Sequence, residues 1–232
     1  MRSRIWVFLL TTVATAAERP PAKQAVIVSH LENSDLYKVQ HKLKKADIFS
    51  TVIDKFLPSF LLDAEWPSGE SAKLGNTLKV DEVQDEPSII VHRGHPASSS
   101  ATGEGSGVTY AISITDPDAP SRDNPEWSEF CHFIATGVEV PSESSDIFRL
   151  SDLEDIIPYK PPSPPPKTGK HRYVFLLFAP KNDTTDPLHL SKPEDRKHWG
   201  TGKERHGVRD WAEANGLKPV AANFIYAQNE EQ

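Results

Sequence analysis

The segment HRYVFLLFAP, residues 171–180, is apolar at nearly every position after its first two residues. A run this short and this apolar is typical of a strand buried on both faces, so other elements must cover it from two sides. The preceding segment holds six prolines between Pro158 and Pro166. Because proline donates no backbone hydrogen bond, that segment is predicted to be neither a helix nor a central strand. The fold must therefore place a rigid loop directly before a central strand.

Further strands are predicted from the alternation of apolar and polar residues. In GVTYAISITD, every second residue from Val108 to Ile114 is apolar, as in a half-buried strand. A turn signal at Gly75-Asn76 separates two strands in another segment. The other segments predicted to contain strands are EFCHFIATGV, FLLDAEWPSGESAKLGNTLKV and LKPVAANFIYAQ.

Helices are predicted only at the periphery of the domain. Between His30 and Phe60, apolar residues recur at steps of three and four, which predicts one or two amphipathic helices that end at Pro58. HGVRDWAEANG predicts a second helical region, for which Gly216 fits the C-terminal stop. Many strands, regular turns and peripheral helices together predict a mainly β, sandwich-like domain.

Composition narrows the class of protein. The chain has 232 residues, of which 37% are hydrophobic and 25% charged, as in a water-soluble globular protein. Its formal net charge of −7 argues against a non-specific nucleic-acid binder, which is usually basic. The single cysteine, Cys131, cannot form a disulfide within the chain, and its apolar neighbours predict a buried thiol rather than a nucleophile.

The first 17 residues have the layout of a secretory signal peptide. Arg2 and Arg4 precede an apolar stretch, and Ala14-Thr15-Ala16 provides small residues for cleavage. The apolar stretch is too short for a transmembrane helix. We therefore predict a leader over residues 1–17, followed by one domain over residues 18–232. A cleaved leader places the protein in the secretory pathway or outside the cell, whereas an uncleaved one leaves it cytoplasmic.

Residues 93–107, RGHPASSSATGEGSG, are predicted to form a polar, flexible loop within this domain. His92 and His95 stand at the edge of the loop with a spacing that metal ligands can have. A flexible loop does not hold a metal geometry, so we predict no metal there. No other feature of the sequence indicates a cofactor.

The segment TDPDAPSRDNPEWSEFCHF places two acids on a stiff turn. Asp116 and Asp118 are two residues apart and therefore point the same way in an extended chain. Pro117 and Pro120 restrict the backbone around them, so the acids lose little entropy when they become ordered. The Ala119-Pro120 bond is a candidate cis peptide, as in some tight turns.

Two histidines lie at the beginnings of predicted strands. His132 is predicted to share a face with Phe130 and Ile134. His171 is predicted to share a face with Tyr173 and Phe175, which places Arg172 on the opposite face.

A buried guanidinium requires a carboxylate, so an ion pair between Arg172 and Asp118 is predicted, with Asp116 as the alternative partner. The histidines, a rigid acid and the proline-rich loop are the components of a small polar pocket with apolar walls.

Two segments resemble the signatures of the phosphatidylethanolamine-binding protein family: DPDAPSRDNPEWSEFCHF and PPPKTGKHRYVFLLF. This family includes Raf kinase inhibitor proteins, plant flowering regulators and fungal carboxypeptidase Y inhibitors. GNTL, WSEFCH, WGTG and WAEANGLKPVAANFIYA resemble the carboxypeptidase inhibitor branch in particular. The resemblance implies two packed antiparallel sheets, that is, a β-sandwich, with peripheral helices.

The resemblance also implies a pocket for phosphate or phosphoryl head groups. Imidazole N–H groups, backbone amides and a tyrosine hydroxyl would donate hydrogen bonds to the anion. The acid would fix the tautomer of a histidine and raise its pKa, or would meet the ammonium of ethanolamine. No lysine, phosphate-binding loop or arginine pair is apparent, so weak binding is expected. The residues implied to line the pocket are Asp116, Trp127, His132, Pro165, Pro166, His171 and Tyr173.

The sequence departs from the family pattern at two places. PPPKTGK is one residue shorter than the common form and lacks one glycine, so the pocket rim and the choice of ligand are not predicted from the family pattern. Cys131 occupies a place often held by another histidine, which lowers the positive charge near the mouth of the pocket.

Several functions are compatible with these features. The resemblance implies a non-catalytic protein that binds an anion or phospholipid head group and inhibits a serine carboxypeptidase. The N-terminus of this chain differs from that branch, however, because it begins as an apparent export signal, so the resemblance does not predict the branch's inhibitory segment here. Surface binding to lipids would use the lysine-rich helix KVQHKLKKADIF, which otherwise forms a solvated face.

The alternative is an accessory or cyclising protein in a fungal polyketide pathway of the maleidride type, which would bind acidic intermediates. Two histidines and an aspartate could also act as a metal triad or as acid–base groups. No G-x-S-x-G motif is present, and Ser128 has no evident base. No catalytic residue is therefore assigned.

Overall fold

A computed structural model describes residues 35–93, 107–139 and 145–232 of the chain. The predicted leader over residues 1–17, His95 and nearly all of the predicted loop over residues 93–107 lie outside the described residues. Nine strands are present in the described parts: β1 Phe60–Glu65, β2 Asn76–Lys79, β3 Ser88–Arg93, β4 Thr109–Asp116, β5 Phe130–Glu139, β6 Ser145–Arg149, β7 Glu154–Ile157, β8 His171–Pro180 and β9 Leu217–Gln228.

The described helices are few and short, as the sequence predicted. Residues 35–45 form the described part of α1. Two further α-helices are α2, Ile48–Thr51, and α3, Gly207–Ala214. Three 3-10 helices lie in connections: Val80–Val83, Leu150–Asp152 and His198–Gly200. Among the described residues, no helix is both long and apolar enough to cross a membrane.

The described strands form two sheets, which confirms the predicted mainly β fold. The smaller sheet has the order β1-β3-β6, and the larger sheet has the order β2-β9-β8-β4-β5-β7. Strand β8 lies inside the larger sheet and all ten of its residues are buried, as its apolar sequence requires. Strand β7 lies at the edge of the larger sheet and ends at Ile157. The prolines that follow lack a backbone N–H, but no neighbouring strand needs one at this position.

The segment FLLDAEWPSGESAKLGNTLKV contains the two predicted strands, β1 and β2, but β1 belongs to the smaller sheet and β2 to the larger one. Strand β2 also runs parallel to β9, whereas the sheets were predicted to be antiparallel. The connection between β1 and β2 crosses from one sheet to the other instead of closing a hairpin. A hairpin would force the two strands to be antiparallel, whereas this connection leaves β2 able to run parallel to its neighbour.

The hydrophobic core has two parts, one on each face of the larger sheet. The first part packs Leu62 and Val91 of the smaller sheet against Ile112 and Phe175 of the larger one. The second part covers the opposite face with helical residues, and Trp211 of α3 packs edge-on against Phe178 at a ring distance of 5.9 Å. The domain therefore has three layers: the smaller sheet, the larger sheet and the helices.

Candidate functional site

A cavity of about 280 Å³ opens where the acid-bearing turn, the start of β8 and the proline-rich segment meet. Its size lies near the lower end of the range for small-ligand sites in proteins. The lining residues are Asp116, Ala119, Pro120, Trp127, Phe130, His132, Lys160, Ser163, Pro165, His171 and Tyr173.

Six of the seven residues predicted to line a pocket do line this cavity. Pro166 is the exception, because it is exposed to solvent and absent from the lining. Neighbouring residues of an extended proline-rich segment point in different directions, so Pro165 faces the cavity and Pro166 does not. The Ala119-Pro120 bond of the acid-bearing turn is cis, as predicted.

Asp116 and His171 form a buried pair at the base of the cavity. His171 Nδ1 lies 2.8 Å from Asp116 Oδ2, and both side chains are almost completely buried. The other carboxylate oxygen of Asp116 accepts a hydrogen bond from the backbone N–H of Asp118 at 2.7 Å. Asp116 therefore holds the imidazole of His171 in one orientation, as the sequence predicted for this acid and a histidine.

The second ring nitrogen of His171 is also engaged. His171 Nε2 lies 3.0 Å from Thr168 Oγ1, and the Thr168 hydroxyl donates to the carbonyl oxygen of Pro165 at 2.7 Å. This chain of contacts links the proline-rich segment to the start of β8. His171 consequently has no ring N–H free for a ligand in this arrangement, and its contribution to the cavity is the position of its ring.

His132 occupies a β-bulge. Thr115 pairs with Cys131 and Ile114 pairs with Phe133, so His132 is the extra residue between these two pairs. A bulge of this kind re-aims one side chain of a strand, and here it turns His132 into the cavity.

The bulge changes the face on which His132 lies. The alternation of EFCHF predicted that His132 shares a face with Phe130 and Ile134. Phe130 does contact His132, with ring centroids 5.1 Å apart, but Ile134 packs in the core on the helical side of the sheet. Tyr173, from the opposite core, contacts His132 instead, also at 5.1 Å. The prediction for Ile134 was wrong because the extra residue interrupts the two-residue period.

His132 is a neutral imidazole in the free protein. Burial lowers its pKa to about 4, and this effect outweighs the charge of Asp116, which acts in the opposite direction. Asp116 does raise the pKa of His132, as expected for the acid, but the larger effect of burial makes the net shift downward. The backbone carbonyl of Lys160 accepts a hydrogen bond from Nδ1 at 2.7 Å. Nε2 then carries a lone pair instead of a proton, so His132 presents an acceptor to the cavity.

Tyr173 and Lys160 provide the donors that the histidines lack. Burial raises the pKa of Tyr173, the charge of Asp116 raises it further, and the hydroxyl therefore stays protonated. Lys160 is exposed at the cavity, and its ammonium forms no ion pair with any described residue. No lysine was predicted in the site from the sequence. Lys160 lies inside the proline-rich segment, but the resemblance to the family gave no motif position for it.

Arg172 and Asp118 form the ion pair that the sequence predicted. Arg172 Nη2 lies 2.6 Å from Asp118 Oδ1, and Arg172 Nε donates to Asp118 Oδ2 at 2.8 Å. Both side chains are at most 2% exposed. Arg172 also donates to the backbone carbonyl of Ala46 at 2.7 Å. The pair thus joins the acid-bearing turn, β8 and the helical layer, and neither side chain lines the cavity.

Cys131 is completely buried, which confirms the prediction of a buried thiol. Burial raises its pKa to about 12, so the reactive thiolate does not form near neutral pH. The hydroxyl of Ser128 is also buried and has no hydrogen-bond partner within the described chain. In the described ranges, no group of three or more His, Cys, Asp or Glu side chains is arranged to hold a metal ion.

The chain belongs to the phosphatidylethanolamine-binding protein family, because the model of that family matches residues 68–225. The family predicted from the two signature segments is thus confirmed. A curated relative, the carboxypeptidase Y inhibitor of Saccharomyces cerevisiae, is 33% identical over 205 residues, which span 80% of this chain and 92% of the relative. CEN-like protein 4 of Nicotiana tabacum is 29% identical over 83% of this chain and 95% of its own.

Solved structures agree with this assignment. The crystal structure of carboxypeptidase Y inhibitor complexed with the cognate proteinase aligns with a TM-score of 0.74 and 30% identity, over 84% of this chain and 97% of that one. The phosphatidylethanolamine-binding protein of Plasmodium vivax aligns with a TM-score of 0.62 over 82% of this chain and 97% of that chain. At 21% identity the second alignment supports the fold alone.

Proposed function

We propose that this protein is a non-catalytic regulator that binds a small anion in its cavity and inhibits a serine carboxypeptidase. The observation that carries the proposal is its similarity, across most of both chains, to an inhibitor of carboxypeptidase Y. That inhibitor has been crystallised with its cognate proteinase, so this fold is compatible with a protease partner.

The cavity supports the anion-binding part of the proposal. Lys160 provides a cationic group without a carboxylate partner among the described residues, and Tyr173 provides a protonated hydroxyl. The carboxylate oxygens of Asp116 are engaged by His171 Nδ1 and by the backbone N–H of Asp118. The walls are otherwise apolar, with Phe130, Trp127 and prolines. A phosphodiester head group with a short apolar continuation matches this combination of donors and walls.

The inhibition is tested by adding the full-length protein to carboxypeptidase Y and following hydrolysis of a chromogenic peptide. We expect inhibition in the nanomolar range, because this chain aligns with 97% of the inhibitor chain that was solved with its proteinase, at 30% identity. A zinc carboxypeptidase serves as the control and should keep its activity. Inhibition only at micromolar concentrations, or equal inhibition of both enzymes, would contradict the proposal.

Anion binding is tested separately by calorimetric titration with glycerophosphoethanolamine. The variant Lys160→Gln should bind about threefold to tenfold more weakly than the wild type. The difference in affinity between the two proteins should become smaller at high salt, because the interaction is electrostatic. Lys203→Gln changes the same charge outside the cavity and should leave the affinity within about twofold. Equal affinities for the wild type and the Lys160→Gln variant would remove Lys160 from the binding site.

We further propose export of the protein, on the basis of the leader predicted over residues 1–17. Expression in a secreting host, followed by N-terminal sequencing of the protein in the medium, tests this. A mature chain that begins near residue 17 or 18 is expected, whereas an intracellular chain that begins at Met1 would refute export. The comparisons with known proteins give no support to the polyketide-pathway alternative, and we do not propose it.

A further inference from the structure

A groove separate from the anion cavity runs along α1. It consists of two adjoining cavities of about 330 Å³ and about 210 Å³, which share Lys42 and Leu74. One bank is the face of α1, and the other bank is the connection between β1 and β2 over residues 72–75. None of the lining residues belongs to the anion cavity. The groove is therefore a second concave surface of the domain.

A row of lysines follows the length of this groove. Lys38, Lys42 and Lys45 line it from α1, and Lys73 lines it from the opposite bank. All four are exposed, and none of their ammonium groups forms an ion pair with another residue in the described ranges. The whole chain has a net charge of −7, so this local excess of positive charge runs against the composition.

Two acids also line the groove, and they do not cancel this charge. Asp63 Oδ2 lies 3.1 Å from His92 Nε2, so this carboxylate already has a partner. Asp35 stands at one end of the groove and is exposed to solvent. The four lysines outnumber the two acids that line the groove, so a local excess of positive charge remains.

The bank opposite α1 is held in an unusual backbone conformation. Leu74 has a φ of 53°, in the left-handed region that disfavours residues with a Cβ atom. Its backbone N–H donates to Asn223 Oδ1 at 2.9 Å, and the next N–H, of Gly75, donates to the carbonyl of Phe224 at 2.8 Å. These bonds keep the half-exposed Leu74 side chain between the two cavities. Strained conformations of this kind cluster at binding sites.

The floor of the groove is largely apolar. Leu61, Leu62 and Phe224 contribute to it, together with the ring of Tyr226 at one end. Asn223 also lines the floor, but its amide already bonds the carbonyls of Leu62 and Ala72. A ligand for this surface therefore needs apolar groups directed to the floor and negative charges directed to the lysines.

We propose that this groove binds an extended acidic segment of a partner protein, in which carboxylates alternate with apolar side chains. On α1, Lys38 and Lys42 are four residues apart, which corresponds to about 6 Å along the helix axis, and Lys45 lies about 4.5 Å further. Side chains on one face of an extended peptide recur about every 6.6 Å. Successive carboxylates of such a peptide therefore meet successive lysines, and the intervening side chains face the floor.

The arrangement of the lysines distinguishes this partner from a lipid. A fatty acid or lysophospholipid carries its charge at one end and needs cations clustered at one end of an apolar slot. Here the cations extend along the whole groove, from Lys38 to Lys45, with Lys73 facing them. Distributed charge on the protein matches distributed charge on the ligand.

The test is fluorescence anisotropy with a labelled eight-residue peptide in which glutamate and leucine alternate, added to the full-length protein. The double variant Lys38→Glu/Lys42→Glu should weaken binding by at least about tenfold. The matched control, Lys44→Glu/Lys55→Glu, changes the net charge equally at exposed lysines outside both cavities and should stay within about twofold of wild type. Leu74→Gly, which suits the left-handed backbone, should also weaken binding.

Three results would overturn the proposal. The wild type could fail to bind the peptide at low salt. The two double variants could lose affinity equally, which would show a non-specific effect of net charge. A single-headed amphiphile, decanoate, could bind more tightly than the peptide and lose its affinity in Lys38→Glu/Lys42→Glu, which would identify a lipid groove. Circular dichroism of each variant confirms that lost binding is not lost folding.

Discussion

The buried imidazole of His132 decides how the cavity receives an anion. In the free protein its pKa is about 4, and its Nδ1 is committed to the carbonyl of Lys160. An anion beside the free lone pair of Nε2 is unfavourable unless a proton lies between them. Binding of an anion at this nitrogen must therefore be accompanied by protonation of the ring.

This coupling predicts a pH dependence of anion binding. The bound anion raises the pKa of His132 above its value of about 4 in the free protein, so binding takes up a proton. The association constant for glycerophosphoethanolamine should rise as the pH falls from 7 and should level off below about 4. This phosphodiester keeps a single negative phosphoryl charge over that range. Calorimetry in buffers of different ionisation enthalpy measures the proton uptake directly.

The variant His132→Gln provides the control for this experiment. Glutamine keeps a donor for the carbonyl of Lys160 but cannot gain a charge. Its affinity should be nearly independent of pH between 4 and 7. A wild-type affinity that is equally flat would show that the anion does not approach His132.

Glu129 is a second buried group whose pKa differs strongly from its ordinary value. It is completely buried, and burial raises its pKa to about 8 despite a 2.7 Å hydrogen bond that its Oε2 accepts from the backbone N–H of Val208. Its other oxygen, Oε1, has no hydrogen-bond partner within the described residues. At neutral pH the carboxyl group is therefore mostly protonated in the folded protein.

The titration of Glu129 predicts how stability changes with pH. Its pKa is about 8 when folded and about 4.5 in the unfolded chain, so the folded state binds more protons between these values. The stabilisation of the folded state that comes from this proton is fully present below pH 4.5 and is lost as the pH rises to 8. Between pH 4.5 and 9, the variant Glu129→Gln should gain stability relative to wild type, on the order of 4 kcal/mol.

Urea unfolding of the wild type and Glu129→Gln at pH 5, 7 and 9 measures this difference. The matched control is Glu126→Gln, which removes the same kind of carboxylate from a solvent-exposed position. A constant difference for Glu129→Gln would contradict a raised pKa at this site.

The acid-bearing turn and strand β8 are joined by the ion pair of Asp118 and Arg172. Arg172 donates its backbone N–H and its guanidinium to the same carboxylate and also reaches the carbonyl of Ala46. A side chain of one strand thus holds the turn on one side and the helical layer on the other. The orientation of Asp116, two residues before Asp118, depends on this anchor.

Breaking this pair should destabilise the whole domain. Asp118→Asn leaves the guanidinium of Arg172 buried without a countercharge, and we expect a loss of about 3–5 kcal/mol in the free energy of unfolding. Urea denaturation followed by far-ultraviolet circular dichroism measures the loss. Glu231→Gln, which removes the exposed pair with Lys167, should change stability by less than about 1 kcal/mol. Similar small losses in both variants would contradict a structural role for the buried pair.

The larger sheet holds the described part of the molecule together. Its two faces contribute to the two parts of the core, one beneath the smaller sheet and one beneath the helices. Neither part is complete without the strands between them, especially the wholly buried strand β8. Separate unfolding of one layer would expose the apolar face of this sheet to water.

We therefore expect a single cooperative unfolding transition. Trp66 reports on the core beneath the smaller sheet, whereas Trp199 and Trp211 report on the helical side. On a background of Trp6→Phe/Trp127→Phe, the further change Trp66→Phe leaves the fluorescence of Trp199 and Trp211 on the helical side, and Trp199→Phe/Trp211→Phe leaves that of Trp66 on the other side. For each variant, the urea midpoint by fluorescence should equal its midpoint by circular dichroism. Distinct midpoints within one variant would show that the layers unfold separately.

Much of the site could be predicted from the chain, and two parts could not. The resemblance of two signature segments placed Asp116, His132 and His171 in one pocket, and the structure brings them together. Lys160 was missed because no local pattern distinguishes it from other exposed lysines. The face shared by His132 and Ile134 was predicted wrongly, because the bulge depends on how β4 and β5 pair and cannot be read from either strand separately.

The sequence by itself determined the fold class, the central position of β8 and the pairing of Arg172 with Asp118. These follow from local rules: a wholly apolar strand must be covered on both faces, and a buried charge must have a countercharge. Only the tertiary structure decided the neutral state of His132, the parallel course of β2 and the lysine-lined groove along α1. Each of these depends on burial or proximity between segments distant in sequence, and such contacts exist only after the chain has folded.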